Sequence, residues 1–131
     1  MESPKFPRPL VARKTGDMLW TLVEEFWYYV GDPDDEDLII VPIGFQYDFA
    51  STPRVLWQFY PPDGRWTYPS TIHDFCYFMQ TRTRKECDLI LWEGMKEVGC
   101  GPITRNNFYN ACRLFGWAGW NKRARELRKN G

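Results

Sequence analysis

Histidine is almost missing from this chain: its 131 residues include one, His73. A surplus of one charge is missing too, since 17 Lys and Arg balance 17 Asp and Glu. That balance gives no support for a dedicated nucleic-acid or membrane-surface binder. No apolar run reaches the ~18 residues that a membrane helix needs, so no transmembrane segment is expected. The N-terminus lacks a signal-peptide pattern, and without an export signal free thiols are expected. The four cysteines stand at 76, 87, 100 and 112 with no close Cys-x-x-Cys pair, which weakens the case for a structural zinc site. No long linker and no internal repeat interrupts the chain, so a single domain is expected.

What the chain has in excess is aromatic: seven Trp, seven Tyr and nine Phe. Most of these are expected in the core, although they could also line a groove or an assembly interface. Charge is uneven along the chain. Asp32 to Asp37 is acidic, and the tail carries Lys122, Arg123, Arg125, Arg128 and Lys129 against Glu126. Both read as solvated surface segments, with a partner as the alternative.

Patterning predicts an α+β fold: an N-terminal β-hairpin, a long irregular loop, then three or four packed helices. Residues 1–17, rich in proline and charge, read as an extended arm. Residues 18–41 read as the hairpin. Aromatic and β-branched residues fill Met18 to Val30, Gly31 to Asp37 forms the turn, and Leu38 to Val41 is the clearest strand. Residues 42–69 form a loop crowded with turn formers (Pro42, Gly44, Pro53, Pro61, Pro62, Asp63-Gly64, Pro69), with a short helical piece available at Pro53 to Phe59. Long ordered loops often carry function, and this one sets Asp48 between Tyr47 and Phe49. Residues 70–120 read as helical. The first helix runs from Pro69 to Met79, with Ser70 or Thr71 as cap. Thr83-Arg84-Lys85-Glu86 has the form of a capping box for a second, reaching Val98 with Gly99 as its stop. A third spans Thr104 to Phe115, with Phe108, Ala111, Cys112 and Phe115 inward. Gly116 and Gly119 interrupt before the basic tail, residues 121–131, which can form a further helix.

The candidate chemistry gathers around His73, in the run Thr71-Ile72-His73-Asp74-Phe75-Cys76-Tyr77. On a helix, residues three or four apart share a face, so His73 and Tyr77 are neighbours and Asp74 turns about 100° away. If the helix carrying Asp88 packs back across the Met79 to Arg82 turn, its carboxylate approaches His73. Asp88 would then orient the imidazole, His73 would take a proton from water, and Tyr77 would hydrogen-bond Asp88 or the cation ligands. Asp74 could ligate Ca²⁺ or another divalent cation together with loop carbonyls, and the cation would polarise a carbonyl. Ser51 and Ser70 are alternative nucleophiles, although neither sits in a Gly-x-Ser-x-Gly elbow. Cys76, in apolar context, reads as packed or paired. From the residues alone, catalysis, a metal-free network tying two helices, and a binding role are all open.

Two resemblances add to this. The first rests on the block Val41-Pro42-Ile43-Gly44-Phe45-Gln46-Tyr47-Asp48-Phe49-Ala50-Ser51-Thr52-Pro53-Arg54. It continues through Leu56-Trp57, Pro61-Pro62, His73-Asp74 with Tyr77, Arg84 with Cys87-Asp88, Met95 with Gly99, and the late Tyr109, Arg113, Phe115-Gly116 and Trp120. Over these the chain resembles the DUF1353 family of small phage and prophage proteins of uncharacterised function. That implies a tailed-phage or prophage origin, with the host cytoplasm or the assembled virion as setting. The second is local. His73-Asp74-Phe75-Cys76-Tyr77 and Cys87-Asp88 resemble the catalytic helix pair of secreted phospholipases A2. That resemblance implies His73 as general base, Asp88 as its partner, Asp74 as Ca²⁺ ligand, and Cys76 and Cys87 at the positions that bridge the two helices. The family's glycine- and cysteine-rich calcium loop has no counterpart before His73, and Asp48 is the loop carboxylate available in its place. The expected activity is metal-assisted hydrolysis of an ester or amide in a bacterial lipid or peptidoglycan. The alternatives are a virion structural or assembly protein that contacts other phage structural proteins, and a small phage effector that binds a host protein through the acidic turn.

Overall fold

The computed structural model describes residues 2–59 and 63–130. Pro61 and Pro62, expected as turn formers, lie outside the described residues. The element order is α+β: five strands in the first part, then four helices. The chain divides into two compact units, Met1–Asp48 and Phe49–Gly131.

The first unit holds two antiparallel pairings. Strands β3 (Phe26–Tyr29) and β4 (Leu38–Val41) form the expected hairpin, with Phe26 opposite Val41 and Tyr28 opposite Ile39. All four of these side chains are buried, as strand alternation dictates. The acidic connection is a single 3-10 turn at Pro33–Asp35, in which the Asp32 carboxylate accepts the Asp34 N–H at 2.9 Å. The second sheet runs β1 (Ala12–Gly16), β2 (Leu19–Leu22), β5 (Gln46–Tyr47). Two of its strands come from segments expected to be irregular, the arm and the long loop. β1 is mostly exposed and carries Arg13 and Lys14, so it offers no hydrophobic alternation to read. β5 has only two residues. The start of the arm also packs: Phe6 is fully buried and stacks on Phe26 at 5.7 Å between ring centroids.

In the second unit a 3-10 turn, Arg54–Phe59, precedes α1 (Thr67–Met79), α2 (Arg84–Glu97), α3 (Pro102–Phe115) and α4 (Trp117–Asn130). α1 packs on α2, α2 on α3, and α4 touches both α3 and α1. α1 begins two residues earlier than expected, and neither Ser70 nor Thr71 caps it. The Thr71 hydroxyl instead donates back to the Thr67 carbonyl at 2.7 Å, and Pro69 is tolerated because a first-turn N–H has no helical partner to lose. α2 has the expected capping box, Thr83 with Glu86. It buries Cys87, Ile90, Leu91, Gly94 and Met95. Leu91 and Met95 join Cys100, Phe108 and Cys112 in the core of the unit.

Two expectations for the last helices do not hold. Phe115 is 63% exposed rather than inward, and Gly119 lies inside α4, so only Gly116 separates the two helices. The tryptophans do not form the core either: each is half-buried or, at Trp117, exposed. A buried indole N–H needs a partner; Trp92 finds one at the surface, donating to Asn106 at 2.7 Å. Among the described residues no helix is long and apolar enough to cross a membrane. The capping box predicts that Thr83→Ala lowers the urea unfolding midpoint of the helical unit, by the equivalent of ~1 kcal/mol.

Candidate active site

The helical pattern of α1 sets His73 and Tyr77 one turn apart on a buried face, with ring centroids 4.5 Å apart. The Gln80–Thr83 connection brings α2 back against this face. Gln80 adopts the left-handed conformation that ends α1, with φ 52°. Asp88, one turn into α2, thereby reaches both side chains. Its Oδ1 is 2.8 Å from His73 Nε2 and accepts the Tyr77 hydroxyl at 2.7 Å. From α3, Arg113 donates to Oδ2 at 2.9 Å, and Arg84 Nη1 stands 3.6 Å from the same oxygen.

Asp88 is fully buried, and burial alone would raise its pKa. The hydrogen bond and charge of His73, with hydrogen bonds from Tyr77 and Arg113, outweigh burial and hold the carboxyl below its ordinary range. Tyr77 moves the other way. Burial and the adjacent Asp88 charge push its phenol up, so it stays a neutral donor. Tyr77 is also locked from behind, by Trp120 edge-on at 5.2 Å and by Gly116, where an added Cβ would lie 2.5 Å from the phenol oxygen. Arg84 also donates to the carbonyls of Cys112 and Arg113, closing the C-terminus of α3.

The other imidazole nitrogen, Nδ1, is 2.8 Å from Ser51 Oγ. Ser51 belongs to a tight turn in which Thr52 N–H donates to the Phe49 carbonyl at 3.2 Å. Asp74 clasps this turn. Its carboxylate accepts the N–H of Phe49 at 2.7 Å, the N–H of Ser51 at 3.2 Å, and the Ser51 hydroxyl. The clasp holds Phe49 at φ 61°, a region that a bulky residue rarely adopts, while its ring packs edge-on to Trp66 at 5.0 Å. Next in the chain, the Thr52 hydroxyl is buried without a partner among the described residues, a condition that costs about 1–3 kcal/mol.

His73, Asp88, Tyr77 and Asp74 thus meet in one network, joined by Ser51, Arg84 and Arg113. Asp48 lies at the end of the first unit and is half-buried. Ser70, the other candidate nucleophile, is buried, and its hydroxyl has no hydrogen-bond partner among the described residues. Cys76 and Cys87 are buried free thiols; the neighbouring Cys76 thiol, with burial, pushes the Cys87 thiol up. Arg84 had a signal in the sequence, since it stands four residues before Asp88 on a helix. Arg113 had none, because it arrives from a different helix.

The donor sets bear on metal binding. Ca²⁺ takes six to eight oxygen ligands. The turn presents the N–H groups of Phe49 and Ser51 to Asp74, and an N–H group does not ligate a cation. His73, Asp88 and Cys112 bring a nitrogen, a carboxylate oxygen and a sulfur within 4.8 Å of one another. There the guanidiniums of Arg84 and Arg113 already face Asp88, and burial pushes the Cys112 thiol up. In both arrangements these donors compete with a cation for the carboxylate.

A family model described as a protein of unknown function (DUF1353) matches residues 20–112. The match ends before Arg113, Phe115-Gly116 and Trp120. No curated protein and no solved structure matches the chain.

The network predicts a defined acid response. Because the Asp88 carboxyl is held below its ordinary pKa of 3.8, its stabilising contribution is complete above that value. The contribution declines as pH falls through 3.8 and then through the lower folded-state value. Asp88→Asn should cost about 3 kcal/mol at neutral pH and flatten this acid decline. Urea titrations from pH 7 to pH 2.5 read both effects.

Proposed function

The chain belongs to the DUF1353 family, and from the geometry around His73 we propose that it is a hydrolase of an ester or amide. In this reading His73 is the general base and Asp88 its orienting partner. The observation that carries it is the division of the two imidazole nitrogens. Nε2 is engaged by a buried carboxylate and Nδ1 by a hydroxyl on a loop. A carboxylate on one nitrogen holds the tautomer and stabilises the imidazolium that forms when the other takes a proton. Tyr77 and Arg113 hold Asp88 and act on the imidazole only through it. Asp74 holds the turn that faces Nδ1. Neither it nor Asp48 is given a metal, and no step needs one. The bond class follows from the base and the hydroxyl. A bacterial envelope lipid or peptidoglycan as substrate, and a phage origin, rest on the resemblances.

The test is turnover of chromogenic acyl esters and peptidoglycan fragments by the full chain. His73→Gln keeps a polar side chain in a site where the native residue is fully buried. It should lower kcat/KM about 10²–10⁴-fold. Undiminished turnover in a folded His73→Gln protein would remove the general-base role.

A second reading, a non-enzymatic assembly protein, is favoured by one surface. Leu114, Phe115 and Trp117, at the joint of α3 and α4, are 66%, 63% and 57% exposed. Exposed apolar side chains gathered at one place in the chain are what an interface would cover. That reading expects a concentration-dependent oligomer in sedimentation, dispersed by Leu114→Glu with Trp117→Glu. A monomer at all concentrations, together with ester turnover, excludes it.

A further inference from the structure

We infer that Ser51 is the covalent nucleophile of this site, so that hydrolysis runs through an acyl-serine rather than by direct attack of water. The inference rests on the hydrolase reading above and names the group that His73 activates.

Three observations carry it. First, Ser51 Oγ occupies the hydrogen-bonding position at Nδ1, 2.8 Å away, so a water activated by His73 would have to displace it. The array Ser51 Oγ to His73 Nδ1, then His73 Nε2 to Asp88 Oδ1, is a nucleophile, a base and an orienter in hydrogen-bonding series. Second, exposure falls along the array. His73 and Asp88 are fully buried, whereas Ser51 is only partly so. Ser51 is thus the member of the array nearest to solvent. Third, the serine is held rigidly. Asp74 fixes its N–H and that of Phe49, and the turn is locked with Phe49 in a left-handed conformation. A nucleophile on a strained, over-determined turn loses little freedom when it attacks. The Gly-x-Ser-x-Gly pattern is absent because this turn is built by a distant carboxylate rather than by glycines.

The steps balance as follows. The Ser51 O–H proton passes to His73 Nδ1 while Oγ bonds to the acyl carbon, and the carbonyl π pair moves to its oxygen. That pair returns, the bond to the leaving oxygen or nitrogen breaks, and the leaving group takes the proton from Nδ1. Water then gives a proton to Nδ1 and its oxygen bonds to the acyl carbon. Collapse releases the acid and returns the proton to Ser51 Oγ. The Asp74 contact gives the hydroxyl a second acceptor, so the competent arrangement is the one in which it donates to His73.

The experiment treats the full wild-type chain with an alkyl fluorophosphonate and maps the adduct by peptide mass spectrometry. It runs beside p-nitrophenyl ester turnover by the wild type, Ser51→Ala and His73→Gln. The expected result is one adduct on Ser51, none in Ser51→Ala, and a loss of turnover in Ser51→Ala of about 10³-fold or more. An adduct elsewhere, or no adduct on the wild type, overturns the inference whatever the variants do. Wild-type turnover in Ser51→Ala with loss in His73→Gln overturns Ser51 but leaves His73 as a base acting on water. Wild-type turnover in both variants overturns both readings. The adduct arm uses unmodified protein, so a folding defect in either variant does not blunt the test.

Discussion

The carboxylate of Asp88 is the constraint around which the helical unit is arranged. A buried, ionised carboxylate without partners would be prohibitive, and the group would instead hold its proton. Its partners come from three helices: His73 and Tyr77 from α1, Arg84 from α2 itself, and Arg113 from α3. Each partner has one geometry in which it can serve, so satisfying Asp88 sets the register of α1 and α3 against α2. Hydrophobic packing of Leu91, Met95, Phe108 and Cys112 supplies the drive to associate, but such contacts tolerate sliding and exchange. Hydrogen bonds to a buried charge do not, because the penalty for leaving it unpaired is several times that of an imperfect apolar contact. Gly116 belongs to the same constraint. With any larger residue there, the Tyr77 hydroxyl could not stay where Asp88 needs it.

A second carboxylate, Asp74, performs a different task one residue from His73. Its neighbours are backbone N–H groups and a hydroxyl rather than guanidiniums. It organises a loop, where Asp88 organises helices. Adjacent residues on a helix point about 100° apart, and here the two directions serve two jobs. His73 looks toward α2 through Nε2 and toward the 49–52 turn through Nδ1, while Asp74 secures that turn from the side. Ser51 is where the two systems meet.

Much of this was legible in the sequence. The hairpin was visible from β-branched and aromatic runs, α2 from its capping box, and the meeting of His73, Tyr77 and Asp88 from helical spacing plus a short connection. These are local signals, or become local once a four-residue turn is assumed. The rest was hidden for identifiable reasons. β1 is an exposed edge with no buried face, and β5 is too short to show a period. Phe115 obeys the spacing of a buried position but falls at a helix end, where the chain turns away at Gly116. Arg113 and Ser51 join the site from 25 and 22 residues away along the chain, and no periodicity spans such gaps. An aspartate beside a histidine looks the same in sequence whether loop carbonyls or loop N–H groups face it, and here the N–H groups of Phe49 and Ser51 face Asp74.

Charge balance shows how such a buried cluster could work as more than a tie between helices. With the imidazole neutral, the carboxylates of Asp74 and Asp88 stand against the guanidiniums of Arg84 and Arg113, and the cluster carries no net charge. A proton moved from Ser51 to His73 would create an imidazolium and a developing oxyanion together, again with no change in the total. The transfer would relocate charge inside a low-dielectric site without importing any, which is the condition under which fixed dipoles stabilise a transition state most effectively. A purely structural network has no use for a hydroxyl held between two acceptors at its edge. Asp88, Tyr77 and the arginines are satisfied among themselves, and the accepting Nδ1 could be satisfied by any buried N–H. That its second nitrogen meets instead the hydroxyl of a partly buried serine on a strained turn is the feature that a tie between helices does not require and a nucleophile does.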